Sequence, residues 1–331
     1  SNESPYEPSP KAIAAMQSAI SQGLALYPDA ESSPVRAAAA KYYGLQPEQV
    51  FVSNGSDESL AHTFQGLFRR GHKKIMFPAI TYSFYPVYAK LFQVPFEQVP
   101  LAADYSIDLA PYLAAKPEEV SAIIFANPNA PTTIQLELTQ IEQLLQTQPD
   151  ILIVVDEAYV DFGGTTSIGL INQYPNLLVI QTLSKSRSLA GIRVGFAFGQ
   201  AELIQGLTRV KNSFNSYPVD RIAQAGAIAA FEDDEHFNQT RQKIINSREY
   251  LEREVRALGF EVLPSKTNFI FMRHPEFDAG ELAAALRERL ILVRHFKQEP
   301  IMQFLRVTIG TQENCEILVK NLSEIISKGM I

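Results

Sequence analysis

The chain has 331 residues, of which 46% are hydrophobic and 20% are charged, and its formal net charge is -7. That length predicts one large and one smaller domain with ample residues for a buried core. The acidic balance argues against nucleic-acid binding, and no apolar run is long enough to cross a membrane. A single cysteine, Cys315, excludes an internal disulfide, and the five histidines show no metal-ligand spacing. We therefore expect a cytoplasmic protein without a metal site.

Short apolar segments alternate with longer amphipathic segments through the first 233 residues. Such short, partly β-branched runs bounded by turn residues predict strands at 50–53, 74–77, 122–126, 151–155, 177–180 and 194–198. Helices are predicted between them, among them 57–70, which begins at Asp57, and 136–148, which stops before Pro149. Strands that alternate with helices predict an α/β fold with a largely parallel sheet.

The pattern changes after about residue 233, which predicts a second, smaller α+β domain. Its expected elements are helices at 235–258 and 279–289, strands at 260–263, 267–272, 291–294 and 304–308, and a final helix. An N-terminal helix at about 9–22 is expected to pack with this domain, because Ile13, Met16 and Ile20 need an apolar partner. We divide the chain into an N-terminal segment (1–27), a large domain (28–233) and a small domain (234–331).

The most informative segment is 182–196, in which Lys185 directly follows a predicted buried strand. The carboxyl ends of parallel strands are where α/β sheets bind ligands. A lysine there forms a Schiff base when nearby positive charge and desolvation lower its pKa. Arg193 and the hydroxyls of Ser184 and Thr182 suit a phosphate group. Taken alone, the segment is equally consistent with a surface lysine in a polar turn.

A second segment, 155–159, carries an acid at the end of an apolar strand. An isolated buried carboxylate at Asp156 would be costly without a cationic partner, and a protonated pyridine nitrogen is such a partner. Tyr159 lies three residues on and can offer its hydroxyl to a ring oxygen. A metal-binding or capping acid would end a strand in the same way.

Two further segments have chemistry that suits a phosphorylated aromatic ligand. In 53–58, Gly55 permits a tight turn, and Ser56 and Asp57 begin a helix whose free N–H groups can bind phosphate. In 78–85, Tyr82 can stack on a flat heteroaromatic ring. An ordinary capped turn and an ordinary aromatic core cluster are the alternatives.

Together these segments resemble the fold-type I aminotransferases, and they look most like the histidinol-phosphate aminotransferase branch. The resemblance covers nearly the whole chain and is carried by the motifs at 2–8, 27–29, 55–58, 156–159, 184–193 and 305–311. It implies a large domain with a mostly parallel seven-stranded sheet between helices and a smaller α+β C-terminal domain. It also implies pyridoxal 5′-phosphate as the cofactor, bound by the large domain, and a homodimer with shared active sites.

The resemblance implies a role for each matching residue. Lys185 would hold the cofactor and move the proton, Asp156 would pair with the pyridine nitrogen, and Tyr159 would bond the ring oxygen. Tyr82 would stack on the ring. The residues expected to bind the phosphate are Ser56, Asp57, Ser184, Arg193 and, from the neighbouring subunit, Tyr27. The residues expected to bind the substrate are Arg306, with Arg294 as its helper, and Tyr6, which would close over the substrate from the N-terminal segment.

Two positions depart from the family pattern. The family commonly has Asn-Asn-Pro-Thr-Gly, whose second Asn also bonds the ring oxygen; here Ala130 stands at that position and Thr133 replaces the glycine. Ser4 stands where Asn is usual. Losing one hydrogen bond in buried surroundings costs about 1–3 kcal/mol, which tunes the cofactor without abolishing catalysis.

The predicted reaction is transamination of histidinol phosphate with 2-oxoglutarate, giving imidazole acetol phosphate and glutamate, in histidine biosynthesis. The alternatives are an aromatic amino-acid aminotransferase and, less favoured, a threonine-phosphate decarboxylase. A nicotinamide-linked dehydrogenase would need a Gly-x-Gly-x-x-Gly turn after an early strand, which is absent. A regulator that binds pyridoxal phosphate would need a DNA-binding domain beyond these 331 residues.

Overall fold

The computed structural model describes residues 2–68 and 71–327, which form two β-sheets with helices packed around them. The strands are β1 (Val50–Asn54), β2 (Lys74–Pro78), β3 (Phe96–Val99), β4 (Val120–Ala126), β5 (Leu152–Asp156), β6 (Leu177–Thr182), β7 (Val194–Gly199), β8 (Glu261–Val262), β9 (Phe269–Arg273), β10 (Arg294–His295) and β11 (Leu305–Thr308). The helices are α1 (Pro10–Ser21), α2 (Ser33–Tyr43), α3 (Ser56–His62), α4 (Tyr85–Leu91), α5 (Ala110–Leu113), α6 (Leu138–Thr147), α7 (Ala201–Asn212), α8 (Arg221–Phe231), α9 (Asp234–Ala257), α10 (Ala279–Glu288) and α11 (Gln312–Ser327).

The larger sheet has seven strands in the order β1-β7-β6-β5-β4-β2-β3. Neighbouring strands are parallel except where β7 pairs with β1 and β6. Side chains of β5 alternate between two core clusters, with Ile153 and Val155 in one and Leu152 and Val154 in the other, because both faces of the sheet are covered. The predicted mostly parallel seven-stranded sheet is confirmed.

The smaller sheet has the order β10-β11-β9-β8, and all its pairs are antiparallel. Its core joins the sheet to the long C-terminal helices, with Leu251 of α9, Ile270 of β9 and Leu322 of α11 fully buried. The predicted smaller C-terminal domain is confirmed. None of the described helices combines the length and apolar composition that crossing a bilayer requires.

Two helix predictions need correction. The helix expected at 57–70 leaves α-helical geometry after His62 and continues as a π-helical segment, Thr63–Leu67; residues 69 and 70 lie outside the described residues. Helix α1 packs chiefly against α8 of the predicted large domain, while Asn2 and Tyr6 of the same N-terminal segment contact the C-terminal domain. The small buried residues Ala12 and Ala19 of α1 allow that close approach, and Ile20 stays 53% exposed.

Candidate active site

The sheet brings most of the predicted cofactor-binding residues to one edge. The parallel strands β4, β5 and β6 end there at Ala126, Asp156 and Thr182, and Ala126 is the register partner of Asp156. Antiparallel β7 begins at the same edge, where Val194 pairs with Asn54, the last residue of β1. The loops that carry Lys185 and the start of α3 therefore meet, although they are far apart in sequence.

A cavity of about 320 Å³ lies at this edge. The cofactor-binding residues implied by the resemblance that line it are Ser56, Asp57, Tyr82, Asp156, Tyr159, Ser184, Lys185 and Arg193, and Thr182 lines it too. Ala130, the position that departs from the family pattern, also lines it. Eight side chains that were selected from separate motifs therefore line one cavity. An ordinary capped turn, surface loop or core cluster would not bring these side chains together.

Two glycines allow the start of α3 to approach β7 and Arg193. A Cβ placed on Gly195 would lie 2.2 Å from the backbone nitrogen of Ser56, which no side chain permits. Gly55 has φ of +76°, and a Cβ there would lie 2.5 Å from Nη2 of Arg193. The close approach sets the backbone N–H groups at the start of α3 beside a guanidinium.

Arg193, Ser184 and Asp57 form a polar corner of the cavity. Nη1 of Arg193 donates to the Ser184 hydroxyl at 3.4 Å, and Nη2 lies 3.3 Å from an Asp57 carboxylate oxygen. The Tyr82 hydroxyl donates to the other Asp57 oxygen at 2.9 Å. Burial, with the Asp57 charge, holds the pKa of Tyr82 well above its usual range, so the phenol stays protonated. A cation, hydroxyls and helix N–H groups at one place suit a phosphate.

Asp156 is the buried acid of the site. One carboxylate oxygen accepts from the Tyr85 hydroxyl at 2.9 Å, and the other, Oδ1, is buried with no hydrogen-bond partner among the described residues. Burial raises the pKa of Asp156 to about 6, against the opposing effect of the Tyr85 bond. An unpartnered acceptor at the cavity wall is ready to receive a hydrogen from a ligand.

The pKa of Asp156 predicts how the stability of the cofactor-free protein depends on pH. Because the folded-state pKa lies above the ordinary 3.8, the native state binds the proton more tightly. The contribution of Asp156 is therefore fully present below about pH 4 and lost as pH rises through about 6. We expect Asp156→Asn, which cannot ionise, to gain about 2 kcal/mol in unfolding free energy relative to wild type between pH 4 and 7. Urea denaturation at both pH values measures this change.

A matched control is Asp150→Asn, which removes the charge of an exposed carboxylate on the loop before β5. Its stability difference from wild type should change little over the same pH range. A difference between wild type and Asp156→Asn that is the same at pH 4 and pH 7 would contradict the prediction.

Lys185 projects into the same cavity beside Tyr159, with Nζ 5.8 Å from the ring centre. Burial lowers the pKa of Lys185. The charges of Arg306 and Arg193 lower it further, while the carboxylate of Glu3, which also lines the cavity, opposes them. A lysine with a lowered pKa has more of the neutral amine that attacks a carbonyl carbon or accepts a proton.

Two arginines from the C-terminal sheet form a cationic pair near the cavity. Arg294 of β10 and Arg306 of β11 are register partners, so both side chains leave the same face of the sheet. Burial lowers the pKa of Arg306 first, and the neighbouring charge of Arg294 lowers it further. Nε of Arg306 is buried without a hydrogen-bond partner among the described residues. Neither arginine lines the cavity itself, but two close guanidinium groups favour an anion between them.

Two predicted residues lie away from the cavity. Tyr6 does not line it; its ring packs against the C-terminal core and lies 5.3 Å from Nζ of Lys243. The segment before Tyr6 turns so that Glu3, not Tyr6, reaches the cavity. Tyr27 is 77% exposed and stacks on Tyr217 at 4.6 Å. An exposed position is compatible with contact to a neighbouring subunit.

Three residues of the site were missed in the sequence. Tyr85 bonds Asp156, Glu3 lines the cavity, and Asn2 donates to the Tyr159 hydroxyl at 3.0 Å. Tyr85 could have been found, because it belongs to the same aromatic cluster as Tyr82, three residues on, and the two rings lie 5.6 Å apart. Asn2 and Glu3 belong to the motif at 2–8, but the sequence assigned neither of them a role, since their segment reaches the cavity only through tertiary contacts.

Over residues 1–322 the chain matches the sequence model of one family, described as aminotransferase class I and II. The chain belongs to the class I and II aminotransferases. The prediction of an aminotransferase from its motifs is confirmed. This aminotransferase is 57% identical over 324 residues to histidinol-phosphate aminotransferase 1 of Pseudomonas fluorescens strain Pf0-1, covering 98% of this chain and 91% of that protein. It is 55% identical over 326 residues to histidinol-phosphate aminotransferase 1 of Bordetella parapertussis, with the same two coverages.

Solved structures share the fold of this aminotransferase. The crystal structure of histidinol-phosphate aminotransferase from Sinorhizobium meliloti in complex with pyridoxal-5′-phosphate is similar with a TM-score of 0.88 and 25% identity, over 99% of this chain and 90% of that chain. Histidinol-phosphate aminotransferase from Clostridium acetobutylicum is similar with a TM-score of 0.91 and 22% identity, over 99% and 98%. The predicted fold-type I architecture is therefore confirmed.

Proposed function

We propose that this aminotransferase transfers the amino group of histidinol phosphate to 2-oxoglutarate, with pyridoxal 5′-phosphate held on Lys185. The observation that supports the cofactor best is the unpartnered Oδ1 of Asp156, which shares one cavity with the lysine. A protonated pyridine nitrogen would donate to that oxygen and would supply the cation that a buried carboxylate needs. The chemistry of the residues present thus fits the cofactor.

Each remaining group of the cofactor has a candidate partner. The phosphate would be bound by the backbone N–H groups of Ser56 and Asp57, the Ser184 hydroxyl and the Arg193 guanidinium. Tyr82 would stack on the ring, and the Tyr159 hydroxyl would donate to the ring oxygen. When bound, the cofactor supplies an electron sink for the carbon that loses its proton.

The protein's own part in the reaction is proton transfer and orientation. The Lys185 amine, whose pKa burial lowers, would take the proton from the substrate carbon and return it to the cofactor, as a general base and then as a general acid. Ionised Asp156 would hold the proton on the ring nitrogen, because their opposite charges attract in a buried place. In this order of reaction steps one site binds the two substrates in turn, which gives ping-pong kinetics.

Substrate choice rests on the arginine pair and on the relatives. Arg306 and Arg294 can bind a phosphate or a carboxylate with two N–H donors each, so one site would accept both histidinol phosphate and 2-oxoglutarate. The relatives from Pseudomonas fluorescens and Bordetella parapertussis are named histidinol-phosphate aminotransferases. Those names do not favour the aromatic amino-acid alternative.

The proposal predicts which amino donor reacts faster. With 2-oxoglutarate as acceptor, we expect kcat/KM for histidinol phosphate to exceed that for phenylalanine about 100-fold, because the doubly charged phosphate gains the stronger bonds to the arginine pair. Glutamate formation and the cofactor absorbance measure the reaction. Faster turnover of phenylalanine would make the protein an aromatic aminotransferase. Carbon dioxide release from phosphothreonine would indicate the decarboxylase, and a purified protein that binds no cofactor would refute the proposal.

We also propose a homodimer in which Tyr27 reaches the phosphate site of the neighbouring subunit. Exposed apolar side chains that precede Tyr27 in the chain support it, since Leu24 and Leu26 are 56% and 77% exposed. A second copy of the chain would cover such a surface.

A further inference from the structure

Asn2 joins the N-terminal segment to Tyr159 and to the C-terminal sheet. Its side-chain amide donates to the Tyr159 hydroxyl at 3.0 Å, and its Oδ1 accepts from the Thr308 hydroxyl at 2.8 Å. Its backbone oxygen accepts from the side chain of Asn268 at 2.9 Å. Asn2 is 2% exposed and has φ of 61°, a left-handed conformation that asparagine tolerates better than most residues. Two side-chain contacts and one backbone contact therefore fix this residue in a buried place.

The direction of these bonds has a chemical consequence. The Tyr159 hydroxyl carries one hydrogen, and its oxygen already accepts from Asn2. The hydrogen is thus left for donation into the cavity that Tyr159 lines. Burial raises the pKa of Tyr159, and the Asn2 bond opposes that rise. A phenol that accepts a hydrogen bond donates a stronger one, since bonds in a chain polarise each other.

We propose that Asn2 is a positioning residue that strengthens Tyr159 as the hydrogen-bond donor to the ring oxygen of the cofactor. Ala130 stands where the family pattern has a second hydrogen-bond donor to that oxygen, so Tyr159 would donate to the oxygen without a second donor at position 130. The relay runs from Thr308 through Asn2 to Tyr159 and compensates in part for the missing amide. This inference rests on the proposed cofactor.

The strength of Tyr159 as a hydrogen-bond donor can be measured from the pH dependence of the cofactor absorbance. Donors to the ring oxygen would favour the form in which the nitrogen linking Lys185 to the cofactor has lost its proton, because the negative charge on the ring oxygen is then no longer balanced by that nitrogen. They therefore lower the pKa of that nitrogen. Weakening the donor should raise the pH at the midpoint of the absorbance change, and a purely structural role for Asn2 would not move it.

The test measures this midpoint in purified, cofactor-loaded variants. We expect Asn2→Ala to raise it by about 0.5 to 1 pH unit, the size of one ordinary hydrogen bond. Thr308→Val, which leaves the Asn2 amide in place, should raise it by a smaller amount. Asn2→Asp offers only acceptors, so it should compete for the Tyr159 hydrogen and shift the midpoint further. Asn238→Ala, an exposed amide on α9, should leave the midpoint unchanged.

Double variants decide whether Asn2 acts through Tyr159. Adding Asn2→Ala to Tyr159→Phe should cause no further shift, because the hydroxyl is already gone. Adding Ala130→Asn to Asn2→Ala should bring the midpoint back down. Equal midpoints for wild type and Asn2→Ala, or additive shifts with Tyr159→Phe, would overturn the inference while the proposed function stands. A wild-type protein with no cofactor absorbance would overturn both.

Discussion

Replacing Lys185 by alanine should lower kcat for transamination at least about 10⁴-fold. General acid–base transfer alone contributes about 10² to 10⁴, and the alanine also removes the amine that would hold the cofactor covalently. Lys185 lines the same cavity as Tyr159 and Arg193, and burial there lowers its pKa. Glutamate formation from histidinol phosphate and 2-oxoglutarate measures the loss, and the absorbance after gel filtration reports whether the cofactor still binds covalently.

A matched control for this variant is Lys320→Ala, which removes an exposed lysine from α11. It should keep the wild-type rate. The Lys185→Ala protein should also keep the wild-type fold by circular dichroism, because a buried amine without its ligand adds little to stability. Retention of about one tenth of the wild-type kcat would show that another group moves the proton and holds the cofactor.

Replacing Asp156 by asparagine should lower kcat about 10²- to 10⁴-fold. Removing one partner of a buried ion pair costs about 3–5 kcal/mol, and that range converts to the stated fold-change. Asparagine keeps an acceptor for the Tyr85 hydroxyl but cannot balance a protonated ring nitrogen. The rate is measured with saturating cofactor and histidinol phosphate, so that weaker cofactor binding does not lower it.

The control for Asp156→Asn is Asp156→Glu, which keeps the charge and moves it by one methylene. We expect Asp156→Glu to retain more activity than Asp156→Asn, because charge matters more than length at this place. Asp156→Asn should thus lose activity in the loaded enzyme and gain stability at neutral pH in the cofactor-free protein. Equal losses in both variants would indicate that shape, and not charge, governs Asp156.

The sequence by itself determined the elements that carry the chemistry. Four of the six strands predicted before residue 200 needed no more than one-residue changes at either end, because fully buried strands are short apolar runs in the sequence. β4 begins two residues before its predicted start, at Val120. β6 extends two residues beyond its predicted end, to Thr182. The seventh strand, β3, was missed: Phe96–Val99 has two exposed polar residues and is too short for an alternating pattern. Strand β10 begins at Arg294, the last residue of the segment 291–294 that was predicted as a strand. It is a strand because it pairs with β11.

The residue types at strand ends could be interpreted because their chemistry is local. A lysine, an acid and a glycine-containing turn each follow a buried strand. Because parallel strands end at the same edge of a sheet, these residues are expected to lie together at that edge. All eight predicted residues that line the cavity come from such segments or from the aromatic cluster after β2. Their roles toward the cofactor stay predictions until the variants are measured.

Only the tertiary structure decided the contacts made by the N-terminal segment and the C-terminal sheet. Helix α1 packs against α8 because small residues on both helices allow a close approach, whereas the larger Ile20 stays exposed. The same segment brought Asn2 to Tyr159 and Glu3 to the cavity, and turned Tyr6 away from it. These contacts join residues more than 150 positions apart in sequence. Periodicity and turn chemistry report on neighbours along the chain, so long-range pairing of single polar side chains has no signal there.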